Sequence, residues 1–275
     1  MADRNTTGAG GWRSFVTNPL LVALLGVSLI PMAFMGSMSY WRSSEVLREQ
    51  AIRQLDTVNA ITAKAVERHF ATLHEQLSVL AEGRICLEAL QEFSAGLASL
   101  RADDGVDDEA LAAARRELET FYTGEFAVEF QRRADKPADL LPLCQSLDDD
   151  SAYAQYLYIR NNPNPIGSKL RLDAASDESA YTQAHAKFHP FFRTVCERYG
   201  TTDVFLIDSA TGRVVYNVSK EADFCSPLLA GPLAASSLGV AFQQALASGR
   251  RGAVAYGQFR RYLPSCNEPA SFLAA

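Results

Sequence analysis

The sequence predicts an α+β protein carried on one apolar helix. Three observations predict it. Residues 19–41, PLLVALLGVSLIPMAFMGSMSYW, hold no charged side chain. From 42 to about 200, apolar residues recur at three- and four-residue steps, the spacing of one helix face. At Thr202 the period changes to two, the spacing of strands. The predicted organisation is therefore a tail (1–18), a transmembrane helix (19–41), a helical region (42–200) and an antiparallel sheet module (201–275).

A helix over residues 19–41 rises about 34 Å, enough for a hydrocarbon core of about 30 Å. A cleaved signal sequence would carry a shorter apolar run ending in a small-x-small site, and Ser37-Met38-Ser39 matches that poorly. A buried core helix would rarely lack charge for so long. Pro31 sits mid-span, which lipid-embedded helices tolerate. Gly26, Gly36, Ser37 and Ser39 would let a second helix approach, and Tyr40 and Trp41 suit an interface. Arginines are almost balanced across the span, with Arg4 and Arg13 before it and Arg42, Arg48 and Arg53 after it. The expected orientation puts the short tail in the cytoplasm, because a large acidic region after a first hydrophobic segment is usually translocated.

The formal net charge is −6, and no block of Lys or Arg occurs. That argues against nucleic acid as a partner. The five cysteines, Cys86, Cys144, Cys196, Cys225 and Cys266, form no C-x-x-C pair, so a zinc ribbon or a thioredoxin-like site is not indicated. Cys225 and Cys266 both fall in loops of the sheet module and are the best candidates for a disulfide; the alternative is five buried, inert thiols.

The helical region begins with one long stripe: Leu47, Ala51, Leu55, Val58, Ile61, Ala65, Phe70, Leu73, Leu77 and Leu80. Its near-3.5 spacing suits pairing with a second copy, and packing against later helices is the other use for it. Leu87, Leu90, Phe93, Leu97 and Leu100 mark the next helix. The aspartates at 107 and 108 are placed to cap a third, which carries Leu111, Ala114, Leu118, Phe121, Phe126 and Phe130. A short amphipathic piece over 151–160 groups Tyr153, Tyr156 and Leu157. The corner NNPNPIG at 161–167 follows, where prolines remove donors and asparagines favour turns. A helix over about 178–199 stacks Tyr181, Ala184, Phe188, Phe192 and Val195; Pro190 should kink it and Gly200 ends it. On that helix His185 and His189 stand four apart and share a face, but no HExxH surrounds them. They read as two partly exposed polar residues rather than as metal ligands. His69 and His74 are five apart and do not share a face well.

In the sheet module DVFLID at 203–208 and RVVYNV at 213–218 read as a hairpin around SATG. Ser236 or Ser237 caps a helix closed by Gly249. Residues 253–259 predict a third strand, and 271–275 the start of a fourth that ends abruptly, suggesting a longer parent protein. This order is that of a PAS-like sensor sheet. Tyr216, Lys220, Glu221, Asp223 and Tyr256 lie on or beside it and are the candidate ligand-binding residues, because charges beside aromatics can orient a small polar molecule. The competing reading is that Lys220, Glu221 and Asp223 only fix a loop. G-x-S-x-G, P-loop and zinc-type spacings are all missing, so no catalytic residue, cofactor or metal is expected.

The stretch YIRNNPNPIGSKLRLDAASDESAYTQAHAKFHPFFRTVCERYGTTDVFLIDSATGRVVYNVSKEADF, continued by GPLAASSLGVAFQQAL and YLPSCNEPASFLAA, resembles the periplasmic sensor region of bacterial transmembrane receptors of double Cache architecture. The resemblance spans roughly residues 42–275 and is most specific over 155–275. It implies a region held between two membrane helices at the bacterial inner membrane that detects a small extracellular ligand. A HAMP linker and an output would follow, most often a methyl-accepting chemotaxis domain, sometimes a nucleotide cyclase or histidine kinase. A homodimer along the long helix is the expected assembly, and a membrane-tethered domain that only binds a partner is the alternative. Cys225 departs from the resemblance: it stands where relatives carry a glycine in a DFGT sequence, which puts that turn in doubt.

Overall fold

The computed structural model describes residues 19–134, 136–250 and 252–275, so the proposed cytoplasmic tail, 1–18, lies outside the described residues. The chain divides into two compact units, Met1–Phe70 and Ala71–Ala275. The described part of the first is helix alone. Helix α1 (Pro19–Glu82) runs through Pro31 and contains an 18-residue window of mean hydropathy 2.1, long and apolar enough to cross a membrane. Within that window Ser28 and Ser37 turn their hydroxyls back onto the Leu24 and Phe34 carbonyls, which satisfies them without water. The stripe Leu47, Ala51, Leu55, Val58, Ile61 is exposed, and half-burial begins only at Leu73.

The second unit shows that the period switch near residue 201 is a change of secondary structure inside one core. Its helices are α2 (Arg84–Asp103), α3 (Asp108–Thr123), α4 (Glu125–Ala134), α5 (Leu141–Gln145), α6 (Asp149–Gln155) and α7 (Ala180–Tyr199). A hairpin follows, β1 (Phe205–Asp208) and β2 (Arg213–Asn217), then α8 (Ser237–Ser248). Local chemistry sets the helix ends. Asp107, Asp148, Ser179 and Ser236 each accept a backbone N–H three residues on, and Gly200 and Gly249 take the left-handed conformation at the other end. After α6 the backbone loosens to a π-type turn over Tyr156–Arg160, with Asn161 N donating to Tyr156 O at 2.8 Å.

Helices α2 and α7 pack closely because Gly96 has no side chain; a Cβ there would lie 2.7 Å from the Tyr181 nitrogen. Both helices cover β2. Phe93 of α2 stacks on Tyr216 with ring centroids 4.5 Å apart, and Phe192 of α7 lies 5.3 Å from the same ring. The core uses the predicted positions Phe93, Leu97, Leu100, Leu118, Phe121, Phe126 and Phe130, whereas Leu87 faces outward.

The sheet module is antiparallel throughout, but its strands form three separate two-stranded ladders rather than one sheet. β1 pairs with β2 across a bulge at Leu206/Ile207. β3 (Ala255–Tyr256) pairs with β6 (Leu273–Ala274), and β4 (Arg260–Tyr262) with β5 (Glu268–Ala270). The predicted third strand thus shrinks to two residues, and β4 and β5 form a hairpin that the alternation did not show. Pro269 within β5 has no N–H to give, which suits a short edge and stops the ladder widening. The Cys225–Cys266 disulfide is not formed. All five cysteines are buried free thiols, and Cys225 Sγ instead faces the Tyr181 hydroxyl at 3.7 Å. Cys225 holds its backbone at φ +58°, a conformation that L-residues with a Cβ avoid.

Candidate functional site

The loop after β2, residues 217–223, organises the site, and Asp203 organises the loop. Asp203 precedes β1, is half-buried with its carboxylate turned inward, and accepts from Val204 N at 2.8 Å, Val218 N at 2.7 Å and Ser219 N at 3.2 Å, and from the Ser219 hydroxyl. Asn217 joins this clamp to the far end of the loop. Its Nδ2 donates to Asp203 at 3.2 Å and to Asp223 at 2.8 Å, while its Oδ1 accepts the Lys220 amide at 3.2 Å. Tyr262 of β4 donates to the other Asp223 oxygen at 2.8 Å. Gln155, at the end of α6, donates to the carbonyls of Ala222 and Phe224 and accepts from Tyr122 Oη. So held, the loop keeps Lys220 at φ +54°, a conformation L-residues avoid, and turns its side chain inward.

Lys220 is 1% exposed. Its Nζ lies 3.1 Å from His189 Nε2, 3.5 Å from His189 Nδ1 and 3.4 Å from the Val218 carbonyl. The tautomer of His189 follows from its other neighbours. Nε2 is 2.6 Å from the Leu170 carbonyl and must donate there, which leaves Nδ1 to accept from Tyr216 Oη at 2.6 Å. The nearest nitrogen facing Lys220 is thus itself a donor, a poor partner for an ammonium. Burial accordingly lowers Lys220 to about 7, and Asp203 offsets this only in part. His189 is lowered to about 4 by burial and then by Lys220. His185 is pushed well below the usual imidazole range by burial, Lys220 and His189 in that order. It donates from Nδ1 to the Asp173 carbonyl at 2.7 Å, and its Nε2 is buried without a partner among the described residues.

The acids behave differently. Burial raises Asp203 to about 6 against the donors that surround it. Burial also raises Glu221 and Asp223, and Asp223 is pushed further by the negative charge of Glu221. Glu221 accepts from the Ser265 hydroxyl.

Lys220, Glu221 and Ala222 form one wall of a cavity of about 20 Å³, room for about one water molecule. Phe121, Tyr122, Phe126, Ile159 and Ile166 give it an apolar side, and Arg133, Lys169 and Cys266 complete it. Lys169 also lines a second depression of about 540 Å³ at the asparagine–proline corner, with Glu125, Arg160 and residues 161–165.

Of the predicted ligand residues, the structure brings Tyr216, Lys220, Asp223 and the half-buried Glu221 into one connected region. Tyr256 does not join them: it is 45% exposed, bonds His74 of α1 at 3.1 Å and lies outside the cavity wall. His185 and His189 are corrected from partly exposed to 0% exposed. Their signal was present in the stripe, because 185 and 189 continue the face set by Tyr181, Ala184, Phe188 and Phe192. Asp203, Asn217, Tyr262 and Lys169 were missed: Asp203 and Tyr262 bond partners 16 and 39 residues away, and Asn217 and Lys169 bond neighbours in irregular loops that no periodicity marks. Among the described residues, no cluster of His, Cys, Asp and Glu is placed to hold a metal ion. Compared with known proteins, the chain matches no family model, no curated protein and no solved structure.

Proposed function

We propose that this chain is the ligand-sensing input part of a bacterial transmembrane signal-transduction receptor, of the methyl-accepting chemotaxis type, with residues 71–275 a periplasmic sensor of Cache kind. The observation that carries the reading is Lys220. A buried ammonium that meets no carboxylate among the described residues, held by a strained backbone in the wall of a small cavity, opposes folding. Such a group is what a binding site keeps and a structural core discards. The apolar helix α1, read as the membrane span, supports a receptor topology, and the resemblance over residues 155–275 supports the family.

A ligand in the cavity would touch the 220–222 loop, which Gln155 ties to α6 and Tyr122, and Asp223 ties to β4. Ligand binding then selects between two packings of these elements. The exposed apolar stripe of α1 over residues 47–61 fits a homodimer along that helix.

The test is a thermal-shift screen of the full chain in detergent against amino acids, amines, carboxylates and inorganic ions. A ligand at 100 times its dissociation constant stabilises the folded state by about 2.7 kcal/mol. The expected result is a saturable shift for one chemical class. A well-folded protein that responds to none would overturn the sensor reading.

A further inference from the structure

We propose that the β4–β5 hairpin, residues 260–270, is a hinged lid over the small cavity, clasped shut by Tyr262 on Asp223 and by Ser265 on Glu221. This rests on the ligand-sensing reading of the same site and names the element that moves to admit a ligand.

A cavity of about 20 Å³ admits about one water molecule, so a larger guest needs a wall to move. The walls are not equally fixed. Phe121, Tyr122 and Phe126 stand on α3 and α4 in the main core. Pro264 and Cys266 belong to the hairpin. The hairpin is a two-stranded ladder of three residue pairs, Arg260 with Ala270, Arg261 with Pro269 and Tyr262 with Glu268. It buries alternate residues, Tyr262, Pro264 and Cys266, while Phe259, Arg260 and Arg261 on its way in are exposed. An element that buries three side chains lies at the low-stability end of a fold.

The base and the tip of the hairpin are held differently. At the base, Gly257 N donates to the Phe272 carbonyl at 2.7 Å, Ser271 Oγ to the Gly257 carbonyl at 2.8 Å, and Ser237 Oγ of α8 to the Gln258 carbonyl at 2.5 Å. These bonds anchor both strands where they enter. The tip is stiff: Glu268 N donates to Ser265 O at 3.0 Å, and Cys266 and Asn267 take the two left-handed positions of a tight hairpin turn, at φ +52° and +60°. A stiff tip on an anchored base swings as one piece. Two hydroxyl–carboxylate bonds clasp it to the 217–223 loop, Tyr262 to Asp223 at 2.8 Å and Ser265 to Glu221 at 2.5 Å, and Arg133 of α4 adds a long ion pair to Glu268 at 3.9 Å. Releasing the clasp lifts Pro264 and Cys266 off the apolar floor and opens the cavity. Both acceptors lie on the loop that carries Lys220, so lid position and loop conformation are coupled.

The experiment is labelling of the full chain in detergent micelles with iodoacetamide, read thiol by thiol by mass spectrometry and scaled to each thiol's rate in the unfolded chain. All five thiols are buried and free, so each reports the opening of its own element. Cys266 in the lid should label about tenfold or more faster than Cys144 and Cys225 in the core. Urea below the unfolding midpoint should speed Cys144 and Cys225 steeply and Cys266 hardly, because lifting a lid exposes little surface. Ser265→Ala and Tyr262→Phe should each raise the Cys266 rate about fivefold, the loss of one hydrogen bond. Equal rates and equal urea slopes at Cys266, Cys144 and Cys225 would overturn the lid, since the hairpin would then open only with the core. An unchanged Cys266 rate in both variants would overturn the clasp; if one variant does not fold, the other decides. Fast, urea-insensitive labelling of Cys266 in a protein that answers no compound of the thermal-shift screen would overturn the sensor reading and leave the lid standing. A ligand response with Cys266 as slow as the core thiols would do the reverse.

Discussion

Two buried polar groups flank the loop at 217–223, and they are built on opposite principles. On one side Asp203, Asn217, Asp223 and Tyr262 form a closed hydrogen-bond network in which both oxygens of each carboxylate are engaged. On the other, His185 and Lys220 are fully buried but short of partners among the described residues: an orphan Nε2 on His185, and a lysine facing the N–H of His189. A satisfied buried network specifies backbone geometry and rigidifies it. An unsatisfied one works against stability and persists where a ligand completes it. The sequence offered ligand-binding and loop-fixing as rival readings of Lys220, Glu221 and Asp223. The structure assigns Asp223 to the loop-fixing network and leaves Lys220 outside it.

The largest test of this contrast is Asp203→Ala. It strands the Val218 and Ser219 amides together with Asn217, and should destabilise the protein by about 3 kcal/mol in urea unfolding. Lys220→Met should instead be neutral or stabilising, and a loss as large as that of Asp203→Ala would erase the distinction.

The pH dependence of that second variant gives a further reading. Lys220 is held near 7, below the ordinary lysine value of about 10.4. Between those values the unfolded chain binds more protons, so Lys220 makes stability rise with pH. The buried thiols act oppositely above about 8.5, because burial raises their folded pKa to about 11 for Cys86, Cys144, Cys196 and Cys266 and about 12 for Cys225. The informative quantity is thus the difference between wild type and Lys220→Met from pH 7 to 8.5. It should change by about 1 kcal/mol per pH unit, wild type gaining. A difference independent of pH would mean that Lys220 stays charged in the fold.

Smaller effects sharpen the picture. Tyr262→Phe deletes one bond to Asp223 and should lower stability by about 1 kcal/mol, read from the denaturation midpoint. Tyr256→Phe, on an exposed ring, should change stability by less than about 0.5 kcal/mol and leave any ligand response unaltered. A lost response in that variant would return Tyr256 to the binding site.

What the sequence could determine by itself was whatever is settled within one or two helical turns. The apolar run of α1, the caps at Asp107 and Ser236 and the left-handed stops at Gly200 and Gly249 depend on neighbours three or four residues away. The hairpin of β1 and β2 is equally local. The tertiary structure decided everything that needs distant partners. Pairing of β3 with β6, the short β4–β5 hairpin and the free thiols at Cys225 and Cys266 depend on which backbone and side chains meet after the chain folds back. The site is the clearest case. His189 and Lys220 are 31 residues apart, and Asp203 reaches Ser219 across 16. Both histidines lie on the apolar face of α7, so their placement was legible; their burial was not, because polarity alone says exposed. Whether a lysine in a loop is solvated or sealed against an imidazole is decided by α7 and β2 closing over it, and no local pattern carries that information.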